Sequence, residues 1–92
     1  MRGQWANKRD ANEADIVADL RARGYSVEHM DKPVDLLLGK WGRTWIAEVK
    51  MEGAKLTKPQ ERFFETWRGN KMILRSTEDV AEFDAYVRED KT

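Results

Sequence analysis

No cysteine occurs among the 92 residues. Disulfides, thiolate chemistry and cysteine–zinc sites are therefore excluded. His29 is the single histidine, so no two-histidine metal site can form. A metal held by this chain needs oxygen ligands, which points to magnesium, manganese or calcium. Long apolar runs are also missing. The longest stretch is a few residues near 34–38, far below the roughly 20 needed to cross a bilayer, so no membrane partner is expected. The opening Met1-Arg2-Gly3-Gln4-Trp5 has no apolar core of the signal-peptide kind, and a cytoplasmic location is expected. Neither sign of charge dominates: 17 basic and 17 acidic residues cancel. The total gives no hint of a polyanionic partner.

The length fits one small domain. A chain of this size buries only about 60% of its unfolded surface, so stability is marginal without a partner. With 40% apolar and 37% charged residues, the core is modest. The charges are unevenly spread. Residues 1–39 hold six basic and seven acidic groups, 40–75 nine and four, and 76–92 two and six. A cationic middle facing a polyanion fits this pattern, as does a set of mixed solvated faces.

Residues 1–9, with Trp5, read as a flexible arm, and 10–92 as a single domain. Asp10-Ala11-Asn12-Glu13 has capping-box spacing, and a helix should follow to about Arg23, stopped at Gly24. Strands are expected over 25–30, 34–40 and 44–50. Trp41-Gly42 is the turn between the last two. Thr57-Lys58-Pro59-Gln60 is a second capping box with an early proline. Its helix carries Phe63, Phe64 and Trp67, expected in the core, and stops at Gly69. A strand at 71–75 and a helix from Ser76 or Thr77 complete the order α-β-β-β-α-β-α. The fold class is α/β, a mixed sheet with helices packed on it.

Chemistry concentrates at Asp35 and Glu48-Val49-Lys50. If Trp41-Gly42 is a two-residue hairpin loop, Lys40 pairs with Arg43, and counting back sets Asp35 directly opposite Glu48. Directly opposed Cβ atoms lie about 4.5–5.5 Å apart. Lys50 is two residues from Glu48 and shares its face. Two carboxylates at about 5 Å repel by about 3 kcal/mol at an effective dielectric near 20. A divalent cation between them removes that cost. Lys50 then sits where it can orient a water or neutralise a phosphoryl group, as metal-assisted phosphodiester hydrolysis requires. A purely structural account is also open, in which Asp35 caps the strand after Pro33 and Glu48 pairs with Lys50 on a solvated face.

The chain resembles the PD-(D/E)XK nuclease superfamily, in particular its small virus-type VRR-NUC branch. The resemblance rests on residues 9–17 (RDANEADIV), 34–39 (VDLLLG), 46–50 (IAEVK), 56–60 (LTKPQ) and 67–69 (WRG), and covers about residues 8–80. It implies a restriction-endonuclease-like αβββαβ core and magnesium- or manganese-dependent endonuclease activity on DNA. The substrate it implies is branched DNA such as a Holliday junction, cut by a homodimer in a bacterial or phage-infected cell. By motif position, Asp35 and Glu48 are metal ligands with the Val49 carbonyl, and Lys50 positions or activates water. Gln60 is the glutamine that orients the lysine or contacts phosphate. Asp15 is the first-helix acidic ligand, with Glu13 the alternative. The family pattern has proline directly before the aspartate, whereas Val34 intervenes here.

Gln60 is equally explained as the capping partner of Thr57. His29 reads as a strand-end polar residue. Trp41 at a hairpin tip reads as a dimer contact or a base-stacking wedge, the former being favoured. Lys40, Arg43, Lys55, Lys58, Arg62 and Arg68 are candidate phosphate contacts. The alternative to an enzyme is a non-catalytic DNA- or partner-binding module on the same scaffold. No helix-turn-helix or other base-reading element is visible, so cutting of ordinary duplex at a set sequence is the weaker reading.

Overall fold

A computed structural model describes residues 10–89. The expected arm at 1–9, with Trp5, lies outside the described residues. The element order is α1 (Glu13–Ala22), β1 (Ser26–His29), β2 (Leu36–Lys40), β3 (Arg43–Val49), α2 (Lys58–Thr66), β4 (Lys71–Leu74) and α3 (Thr77–Glu89). This is an α/β fold with one four-stranded mixed sheet and three helices, in the order read from the sequence. The strands lie β1-β2-β3-β4. The first three are antiparallel, and β4 runs parallel to β3. Parallel neighbours need a long crossover, and the segment carrying α2 supplies it. No helix among the described residues is long and apolar enough to cross a membrane.

The hairpin sets the register. Trp41 and Gly42 have φ of 55° and 75°, the left-handed pair of a type I′ turn. Lys40 pairs with Arg43 and Leu36 with Ala47. Strand alternation then sends Leu36, Leu38, Trp45, Ala47 and Val49 to one face. There they join Ile16, Val17 and Leu20 of α1 and Val80 and Val87 of α3. Each fully buried aliphatic side chain contributes about 1.5–3 kcal/mol. Tyr25, Trp45 and Phe83 close this core with edge-on and tilted ring contacts at 5.3–5.9 Å.

The opposite face carries Leu37, Ile46, Glu48 and Lys50, and among the described residues α2 meets it through Gln60 and Glu48. That helix buries no residue. Phe63 and Phe64 are half-buried and Trp67 is exposed, so they do not form the expected core. They stack on one another instead, Phe63 on Trp67 at 5.4 Å. The reason is layering: no further element among the described residues covers the outside of α2.

The two helix starts differ. Thr57 caps α2 with both bonds of the capping box. The box expected at 10–13 does not form: Asn12, not Asp10, is the N-cap of α1, and its side chain makes no capping bond. That side chain goes instead to the carbonyls of Lys50 at 3.0 Å and Arg75 at 2.6 Å.

Candidate functional site

The ends of β2 and β3 remote from the hairpin build the site. Ile46 and Lys50 donate their N–H groups to the β4 side, to Asn70 and Leu74. The alternate residues Ala47 and Val49 therefore turn their backbone groups toward β2. The β2–β3 ladder ends at Leu36–Ala47, so Val49 lies one rung beyond it. The Asp35 carboxylate takes that place: the Val49 N–H donates to Asp35 Oδ2 at 2.8 Å. β2 therefore starts at Leu36 rather than at residue 34. The Val49 carbonyl lies on the same strand edge as its N–H.

Glu48 points to the α2 face and is only 4% exposed. Burial pushes its carboxyl up to about 7. The Asp35 charge adds to the shift, Lys50 opposes it, and a hydrogen bond with Asp35 raises it further. Lys50 Nζ lies 4.0 Å from Glu48 Oε2. Gln60 donates from Nε2 to the same oxygen at 2.7 Å. Its Oε1 accepts from the Thr57 N–H at 2.9 Å. One amide thus serves the cap of α2 and also bonds Glu48, rather than the lysine that the resemblance implies. The Glu48–Lys50 pair also exists, but on a covered face rather than a solvated one.

A cleft of about 500 Å³ between residues 31–33 and the start of α2 opens beside Gln60. Its lining includes Gln60, the residue that bonds Glu48.

Other candidates are dispersed. Asp15 is exposed on α1. Glu13 is buried, with His29 Nδ1 at 3.1 Å from its carboxylate; His29 is the last residue of β1. The nearer acid is Asp10, whose charge acts on Glu48. Sequence reasoning missed Asp10 and Asn12 as site residues. Their signal was hidden, because both were absorbed into a capping box. Lys55, Lys58, Arg62 and Arg68 are exposed around α2, on the side of the sheet that carries Glu48. Lys40 and Arg43 lie at the far, hairpin end. The Lys40 ammonium is turned inward, 2.6 Å from the Arg23 carbonyl.

Comparison with known proteins adds no assignment. No family model, curated protein or solved structure matches this chain.

The donor chemistry suits a hard cation: two carboxylates meet beside a strand-edge carbonyl, and one of them is buried at a cost its neighbours do not cancel. Among the described residues, no group of three or more His, Asp and Glu side chains converges as a metal cluster. Among the described residues, Asp35 and Glu48 are the two carboxylates that meet here, beside the Val49 backbone.

Proposed function

We propose that the chain is a divalent-metal-dependent endonuclease of the PD-(D/E)XK, VRR-NUC kind, acting on branched DNA as a homodimer, with the sheet as its restriction-endonuclease-like core. The observation that carries the reading is the buried Glu48 carboxylate, with Asp35 and Lys50 acting on it and Gln60 bonded to it. Such an arrangement destabilises a metal-free fold, so folding alone gives no reason for it.

Asp35 and Glu48 would hold magnesium or manganese, with the Val49 carbonyl as a further donor. The bound ion supplies Lewis acidity toward a phosphodiester. Gln60 fixes which Glu48 oxygen faces the site. The Lys50 ammonium orients the attacking water and neutralises charge on the phosphoryl group. Asn12 holds the Lys50 carbonyl and so fixes the backbone that carries this ammonium. Lys55, Lys58, Arg62 and Arg68 lie where phosphates would pass. The half-covered second face, with Leu37 and Trp67 exposed, supports pairing of two copies. A cytoplasmic location in a bacterial or phage-infected cell goes with this reading.

The test is cleavage of a labelled four-way junction, a matching duplex and a single strand, each with magnesium, manganese or chelator. Paired nicks in the junction, lost in chelator and in Glu48→Ala, are expected. Wild-type cutting by a folded Glu48→Ala protein would refute the site. The exposed Asp15 and the lack, among the described residues, of a third converging acid favour a second reading, a DNA-binding module without catalysis. It predicts salt-dependent DNA binding and no heat of manganese binding in calorimetry.

A further inference from the structure

The tip of the β2–β3 hairpin is poorly explained by folding. Trp41 sits at φ 55°, where a non-glycine residue costs about 1–2 kcal/mol and Asn or Gly is preferred. The cost is not recovered by burial, since Trp41 is 59% exposed. Two cations lie over the indole. Lys40 Nζ lies 4.6 Å from the ring centroid and Arg88 Cζ 5.6 Å. The Lys40 side chain is 8% exposed, so its charge is fixed beneath the ring, and it also faces Tyr25 at 4.5 Å. Arg88 is half-exposed and reaches solvent.

Positive charge collects behind the ring. Arg23, Lys40 and Arg88 gather on the buried Asp84, and Arg23 also meets Asp19. Among the described residues, these three cations thus meet two carboxylates. Positive charge beside an exposed aromatic face fits a ligand that offers both a π-face and an anion. A second copy of this chain fits poorly. A two-fold axis would set the patch against itself and bring like charges together.

We infer that Trp41 and Arg88 form a second nucleic-acid subsite, in which an unpaired base stacks on the indole and its flanking phosphate meets the Arg88 guanidinium. This inference rests on the DNA-binding reading above and deepens it: the recognised feature is a base freed from pairing, as at a branch point. The subsite lies about six strand residues from Glu48, or about 20 Å, so it can fail without disturbing the metal donors.

The test uses the whole protein in chelator. A fluorescein-labelled single strand carrying 2-aminopurine is compared with the same sequence as closed duplex. Stacking on one aromatic makes Trp41→Ala bind the single strand roughly tenfold more weakly, with duplex binding changed less than about twofold. Quenching of 2-aminopurine should be lost in Trp41→Ala and retained in Trp41→Phe. Arg88→Gln should weaken single-strand binding and flatten its salt dependence. Trp41→Asn serves as a folding control and should melt at or above the wild-type temperature. Equal single-strand affinity of wild type and Trp41→Ala overturns the subsite, as does equal loss on both probes. Conversion of a dimer to a monomer by Trp41→Ala, seen in sedimentation, also overturns it and assigns the tip to self-association. Metal-dependent junction cutting that survives any of these results leaves the nuclease reading standing. No binding of any oligonucleotide by the wild type removes both.

Discussion

Replacing Glu48 by glutamine should stabilise the metal-free protein at alkaline pH, even though it removes the central group of the site. The folded carboxyl stands at about 7 against an ordinary 4.5. A raised value means that the folded state holds this proton more tightly than the unfolded chain. The associated stability is complete below about pH 4.5 and is lost as pH rises through about 7. At roughly 1.4 kcal/mol per pH unit, the loss approaches 3 kcal/mol at pH 8.5. Glutamine has nearly the same shape, cannot ionise, and still accepts from Gln60 Nε2. Urea unfolding in chelator at pH 5 and pH 8.5 measures the effect. Glu48→Gln and wild type should differ little at pH 5. At pH 8.5 the variant should be more stable by about 2–3 kcal/mol, or about 2 M in urea midpoint for a domain of this size. Manganese at a hundred times its dissociation constant should restore about 2.7 kcal/mol to the wild type and nothing to the variant. A difference between the two proteins that does not change from pH 5 to pH 8.5 would refute the reasoning.

Two further perturbations probe the rest of the molecule. Burial alone would raise Asp84, but hydrogen bonds from Arg88, Tyr25 and Arg23 outweigh it and hold the carboxyl below the ordinary range. Its contribution is present above that ordinary range and is lost as acid carries the pH through the lower folded value. Asp84→Ala should cost about 3 kcal/mol, the low end for breaking a buried charge pair because Arg23 and Arg88 are partly exposed. That lowers the melting temperature by more than about 10 °C, and an unchanged melt would contradict the hub. Gln60→Glu keeps an acceptor for the Thr57 N–H but sets a third carboxylate against Glu48. Thermal melts in chelator should show it below wild type at pH 8 and close to wild type at pH 5; the same deficit at both values would rule out charge as the cause.

The hairpin was legible because Trp41-Gly42 admits one short loop, and loop length dictates register. That register brought Asp35 toward Glu48, and alternation put Lys50 on the face of Glu48; the ladder itself stops at Leu36–Ala47, where the Asp35 carboxylate bonds the Val49 N–H. Gln60 was legible as a capping residue, and its reach to Glu48 needed the packing of α2. What stayed hidden was non-local. Asn12 finds its partners 38 and 63 residues away, and nothing in the spacing of residues 10–13 separates a cap from a long-range tie. Asp84 sits on an amphipathic helix, where an acid reads as solvent-facing, yet it lies under Tyr25 and three cations. The aromatics of α2 had core spacing; their half-exposure depends on how many layers lie above them, which periodicity does not encode.

The bonds of Asn12 divide the site by chain distance. Bringing Asp35 to Glu48 requires closing only a two-residue turn, so the hairpin alone carries the repelling pair. Fixing Lys50 requires α1 to meet the ends of β3 and β4, across loops whose closure costs more entropy with length and slows their formation. A chain folded as far as the hairpin holds the acids without the anchored ammonium. Only the complete domain brings all of these groups together, so the assembled site reports on global folding.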